Sequence, residues 1–89
     1  MKITLDLKSV KTPAEAQDFL KAALAFPDYY GKNLDALYDM LTQWDRGATL
    51  QLLLPATPAE GIREYLPRLR RVFEDAARQN PRLQVQFKG

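Results

Sequence analysis

Apolar and polar residues alternate one by one in three stretches of the chain. In Lys2–Leu7, the residues Ile3, Leu5 and Leu7 are interleaved with Thr4, Asp6 and Lys8. In Thr49–Leu54, the residues Leu50, Leu52 and Leu54 point one way and Thr49, Gln51 and Leu53 the other. In Leu83–Lys88, the residues Leu83, Val85 and Phe87 oppose Gln84, Gln86 and Lys88. A period of two predicts a strand with one buried face in each case.

Between these stretches the apolar spacing becomes helical. Thr12-Pro13-Ala14-Glu15 carries a capping threonine, a proline suited to the first helical position and a glutamate three residues after the cap. A helix should follow, with Ala16, Phe19, Leu20, Ala23 and Leu24 as its apolar stripe up to Phe26-Pro27. Asp28–Lys32 reads as a loop in which Gly31 allows a sharp turn. Asn33 then caps a short helix over Leu34–Gln43, with Leu34, Leu37, Tyr38 and Leu41 as its stripe, and Asp45-Arg46-Gly47 makes a turn. Thr57-Pro58-Ala59-Glu60 repeats the capping pattern and predicts a short helix weakened by Gly61. Pro67 disfavours helical geometry at Leu66, so a fresh helix is expected from Pro67 to Asn80-Pro81, with Leu69, Val72, Phe73 and Ala76 turned inward.

Strands separated by helices favour a parallel sheet with right-handed crossovers. All three strands alternate, so one sheet face should be wet and the helices should cover only the other. The expected fold is therefore a single two-layer α/β domain over residues 1–89, with a three-stranded parallel sheet in the order 1-2-3 and the leucine-rich second strand in the centre.

Composition narrows the chemistry. The 89 residues contain no cysteine and no histidine, which removes disulfides, thiolate sites and the usual neutral-pH base. No metal, cofactor or catalytic activity is expected. The N-terminus lacks an apolar run of signal-peptide length, and the longest apolar run, Leu52–Ala56, is too short to span a bilayer. A soluble, cytoplasmic protein is expected. The net charge of +2 is unevenly distributed. Asp28–Asp45 holds four Asp and one Lys, whereas Arg63–Arg82 holds six Arg against Glu64, Glu74 and Asp75.

The acidic stretch is the candidate site. Asp35 and Asp39 are four residues apart and share one helix face, at a cost to the isolated helix of a few tenths of a kcal/mol. Tyr29 and Tyr30 precede that helix and Tyr38 lies within it; large aromatic side chains suit an interface. On chemistry alone the two carboxylates read first as a solvated helix face and second as a surface for a cationic cleft. Trp44 reads first as packing, and Asn33 as a cap.

The run Pro27–Leu41, with Tyr29-Tyr30-Gly31, Asn33-Leu34-Asp35-Ala36-Leu37 and Asp39, resembles the barstar (barnase inhibitor) family. The resemblance implies that family's fold and role: one-to-one, reversible inhibition of a small secreted ribonuclease, inside the cell that makes it, by a protein monomeric on its own. Asp39 matches the central carboxylate that occupies the enzyme's phosphate site, Asp35 its neighbour, and Tyr29 the ring that packs on the enzyme. Tyr30, Gly31, Asn33, Leu34 and Tyr38 fall in the same contact segment, Trp44 matches a contact or support position, and Asp75 falls near an acidic contact of the last helix. Tyr38 stands where a familiar form has Trp, Met40 where it has Cys, and Gln79 where it has a second acid, and that form is acidic overall. These departures bear on the target's identity and the speed of association.

The arginines at 63, 68, 70, 71, 78 and 82 permit a second reading, an RNA- or ribonucleoprotein-associated module. No nucleic-acid motif or interleaved aromatic accompanies them, so they read first as a solvated face and direct nucleic-acid binding is not expected. A hydrolase built on Asp35 and Asp39 lacks a histidine, a third ligand and a phosphate loop.

Overall fold

The computed structural model describes residues 1–88. Strand β1 (Lys2–Asp6) pairs in parallel with β2 (Ala48–Leu53), and β2 pairs in parallel with β3 (Leu83–Lys88), giving the order β1-β2-β3. The register carries the sequence alternation across the sheet. Ile3, Leu50 and Val85 form one row and Leu5, Leu52 and Phe87 the next, all on the inner face. Thr4, Gln51 and Gln86 form the intervening row on the other face. Lys2, Thr4, Asp6, Gln84, Gln86 and Lys88 are exposed, so the helices cover one face and the other is wet. The α/β fold and strand order are those expected. Gly89, the last residue of the expected domain, lies outside the described residues.

Helix α1 (Pro13–Ala23) begins as its sequence dictates. The Thr12 hydroxyl accepts from the Glu15 backbone N–H at 3.1 Å, and the Glu15 carboxylate accepts from the Lys11 N–H at 2.8 Å. Its end comes earlier than the apolar spacing suggests. Phe26 N–H donates to Lys21 C=O at 3.0 Å and Ala25 N–H to Ala22 C=O at 3.3 Å, with Ala25 at φ 55°. This is a Schellman closure whose left-handed position holds alanine instead of the usual glycine. Ala23 is exposed, and Gln17 takes a buried place on the stripe beside Ala16 and Leu20.

Helix α2 (Leu34–Thr42) has the expected cap and stripe. The segment after β2 does not follow expectation. Thr57-Pro58 starts no helix; a three-residue 3₁₀ turn, Glu60–Ile62, forms instead. Tertiary packing overrides the local capping pattern here. Ile62 is buried, and a Cβ added to Gly61 would lie 2.7 Å from the Lys11 carbonyl oxygen. Helix α3 (Tyr65–Gln79) starts two residues before Pro67. Proline is tolerated there because first-turn N–H groups have no intrahelical acceptor. Burial of Leu66 holds it helical against the preference imposed by the following proline.

The core unites Leu5, Leu50 and Leu52 from the sheet with Leu20, Leu37, Leu41, Leu69 and Phe73 from the helices. Each such side chain contributes on the order of 1.5–3 kcal/mol by leaving water. One buried amide fixes two helix ends together. Asn80, 4% exposed, donates from Nδ2 to the carbonyls of Leu41 (2.9 Å) and Trp44 (2.8 Å), and its Oδ1 accepts from Arg82 N–H at 3.1 Å. It thereby adds a second donor to the Leu41 carbonyl, which also accepts from Trp44 N–H at 3.3 Å, and supplies one to the Trp44 carbonyl just past the end of α2.

Two stability predictions follow from these closures. Asn80→Ala takes the side-chain donor from the Trp44 carbonyl and leaves the Leu41 carbonyl only its 3.3 Å bond from Trp44 N–H, and should cost about 1–3 kcal/mol in urea denaturation; an unchanged denaturation midpoint would refute the clamp. Ala25→Gly relieves a left-handed alanine and should raise stability by about 0.5–1 kcal/mol, net of the extra freedom glycine gives the unfolded chain. A fall in the denaturation midpoint would contradict the Schellman closure.

Candidate functional site

The loop between α1 and α2 divides two adjacent tyrosines. Pro27 C=O accepts from Tyr30 N–H at 2.9 Å, which closes a turn with Asp28 and Tyr29 at its corners. Tyr29 projects outward, 84% exposed, while Tyr30 is 5% exposed. The Tyr30 ring packs on Phe26 with centroids 4.7 Å apart and planes tilted by 47°. Its hydroxyl donates to Gln17 Oε1 at 2.5 Å, and Gln17 Nε2 donates to the Tyr65 hydroxyl at 2.7 Å. Burial, and secondarily the neighbouring Tyr65, pushes the Tyr30 phenol well above the ordinary tyrosine range. It therefore stays a neutral donor, and the loop is hydrogen-bonded to α1 and through it to α3.

The sharp turn expected at Gly31 is made by its neighbour. Lys32 takes the left-handed backbone (φ 53°) and reaches Asp18 with Nζ–Oδ1 at 2.8 Å. Gly31 answers a spatial need: a Cβ there would lie 3.3 Å from Asn33 Nδ2 and 3.4 Å from Ala36 Cβ. Asn33 works on both sides of the helix start. Its Oδ1 accepts from Ala36 N–H at 2.7 Å, and its Nδ2 donates to Gly31 C=O at 3.2 Å. Loop and helix are thus one hydrogen-bonded unit.

Along α2 the residues sort by face. Leu37 and Leu41 are fully buried, and Leu34 and Tyr38 are half-buried. Asp35, Asp39 and Gln43, spaced by four, form an exposed outward line. No ion pair among the described residues includes Asp35 or Asp39. Tyr29, Tyr30, Gly31, Ala36, Asp39, Met40 and Gln43 line a hollow of about 240 Å³, which places the Asp39 carboxylate and the exposed Tyr29 at one surface depression. Asn33, Leu34 and Asp35 line a second, larger cleft with Tyr65 and Arg68.

The remaining candidates lie elsewhere. Trp44 is 9% exposed, its Nε1 has no hydrogen-bond partner, and Arg46 lies over its ring at 4.9 Å. Asp75, on α3, is half-buried and bound by Arg78. The structure therefore gathers Tyr29, Gly31 and Asp39 at one depression and Asn33, Leu34 and Asp35 at the adjoining one. It puts Tyr30 and Trp44 into the packing beneath them and leaves Asp75 on the neighbouring helix. Sequence reasoning missed Gln17, which anchors the loop, and Gln43, which extends the outward line. Gln43 was detectable by its spacing of four from Asp39; Gln17 looked like any surface glutamine next to an apolar stripe.

The site offers carboxylates, a phenol ring and an amide. Among the described residues no three Asp, Glu, His or Cys side chains are grouped to hold a metal ion, and no helix is long and apolar enough to cross a membrane. Two anions in a fixed row next to an aromatic ring can bind a cationic, ring-accepting cleft.

The family model described as Barstar (barnase inhibitor) matches residues 1–88. A Bacillus subtilis (strain 168) protein named "Putative ribonuclease inhibitor YrdF" is 51% identical over 43 residues, a stretch covering 48% of this chain and 47% of that protein. The match thus spans about half the length of that curated relative. A family match running from the first strand through the last places this chain in the barstar family of barnase inhibitors.

Proposed function

We propose that the chain is an intracellular, cytoplasmic inhibitor that blocks the active site of a small secreted ribonuclease of the barnase type. The observation that carries this reading is the pair of unpaired carboxylates, Asp35 and Asp39, held in an outward row beside the exposed Tyr29. A ribonuclease holds RNA phosphates in a cationic cleft. Asp39 takes the place of a phosphate there, Asp35 takes an adjacent cation, and Tyr29 lies where a base ring would stack. Gly31, Asn33, Leu34 and Tyr38 fill the margins of the contact. Tyr30 and Trp44 support it from beneath, and Asp75 meets the enzyme at the edge.

The complex is one-to-one, the free protein is a monomer, and it has no catalysis of its own. Preorganisation raises its affinity, because the loop and helix are already cross-bonded and little freedom is lost on binding. Opposite charge fixes the register and speeds encounter. The formal charge of +2 weakens long-range attraction to a basic enzyme, so the local field of α2 does the steering.

Calorimetric titration against a panel of barnase-type ribonucleases, barnase included, tests this reading. Asp39→Ala should weaken binding by about 2–5 kcal/mol because a buried enzyme cation loses its partner. The same variant should keep or slightly raise folding stability, since removing one of two like charges spaced by four relieves a few tenths of a kcal/mol. Absence of a complex between the unaltered chain and every panel member would end the inhibitor reading.

A further inference from the structure

We propose that, on the α3 side of the ribonuclease-facing surface where Asp75 lies, Arg68 and Arg71 meet carboxylates on the rim of the enzyme. This extension rests on the inhibitor reading and specifies the partner's chemistry: a cationic pocket bordered by an acidic rim.

The two helices lie side by side and parallel. Their first turns open on a cleft of about 630 Å³ that α1 also lines: Leu34 and Asp35 come from α2, Tyr65 and Arg68 from α3, and the ion pair of Asp18 with Lys32 lies in the same cleft. Their last turns are tied together by Asn80, which donates to the Leu41 and Trp44 carbonyls. Helix α3 buries Leu66, Leu69, Phe73 and Ala76. Arg70 lies over the Phe87 ring of β3 at 4.4 Å, so that flank of α3 faces the sheet. The opposite flank, with Tyr65 and Arg68, faces α2, and Arg71 lies one turn on from Arg68.

Charge sets these two arginines apart. Arg70 pairs with Glu74 at 3.8 Å, and Arg78 pairs with Asp75. None of the ion pairs among the described residues includes Arg68 or Arg71, although Arg68 shares a cleft with Asp35. An acidic row and a basic row thus stand next to each other without neutralising one another.

Size decides whether a partner can avoid the basic row. A nine-residue helix presents a face about 14 Å long and about 10 Å wide. A standard interface covers about 800 Å² of each partner, several times that face. Asp75, the edge contact, follows Arg68 and Arg71 at spacings of seven and four on α3, so an enzyme that reaches from Asp35 and Asp39 to Asp75 covers both arginines as well. Covered arginines without carboxylate partners would oppose the complex, so the cognate rim must be acidic.

The test uses the full-length chain and each panel ribonuclease that binds it, with affinities measured at low and high salt. The Arg68→Glu/Arg71→Glu variant should bind at least about tenfold more weakly, with the deficit shrinking at high salt. Lys2→Glu/Arg82→Glu, at exposed positions on β1 and between α3 and β3, makes the same change of net charge and should change affinity little. An unchanged or tighter complex for the double variant, with Asp39→Ala still impaired, overturns the extension and leaves the inhibitor reading standing. An equal loss for Lys2→Glu/Arg82→Glu also overturns it, by assigning the effect to overall charge. So does loss of RNA retention in a gel shift with ribonuclease affinity unchanged, which would give the basic row to RNA. No complex for the unaltered chain overturns both readings together.

Discussion

The side-chain amide of Gln17 governs how the candidate surface is built. It lies on the buried face of α1, 2% exposed, and accepts from Tyr30 while donating to Tyr65. A buried amide without partners is costly, so both tyrosines are held where their hydroxyls meet it. Because Tyr30 is drawn inward, the turn closed by Pro27 leaves its neighbour Tyr29 at the tip, facing solvent. Because Tyr65 is drawn to the same amide, the start of α3 is fixed near the start of α2. Exposure of Tyr29, position of the loop and closeness of the acidic and basic rows all depend on this chain of three side chains.

Asn80 does the matching work at the other end. Between the two amides, α2 is held by its leucines below and by hydrogen bonds at each terminus. Its outward line is then free to carry a feature that does nothing for folding, two like charges spaced by four. The support is cross-bonded while Tyr29, Asp35 and Asp39 are exposed, which is the division expected of a preorganised surface.

Much of this was legible in the sequence, for physical reasons. Strand alternation survives intact because the sheet has one dry face and one wet face, so the period of two maps directly onto burial. The Thr12 and Asn33 caps were legible because each bond is local, spanning three residues. The failures share a cause. Thr57-Pro58 has the same local pattern as Thr12-Pro13, yet contact between Gly61 and the Lys11 backbone overrides it. Helix α1 stops on Ala25, a left-handed residue with no local sign of that role. The left-handed position near Gly31 falls on Lys32, whose side chain reaches Asp18. Gln17 was not singled out and Asn80 was read only as the end of the last helix, because their side-chain partners lie 13 to 48 positions away along the chain.

The chain belongs to the barstar family, and its Asp39 and Tyr29 share one surface depression while Asp35 lies one turn away on the same helix face. If that surface replaces RNA in a ribonuclease cleft, the chain and the substrate cannot occupy the enzyme together. The most direct measurement is the steady-state rate of RNA cleavage by a panel ribonuclease at several fixed concentrations of the chain. Inhibition competitive with RNA, with full activity recovered at high substrate, is the predicted result. Inhibition that RNA cannot relieve, or undiminished cleavage by every panel ribonuclease with the chain in excess, would contradict it.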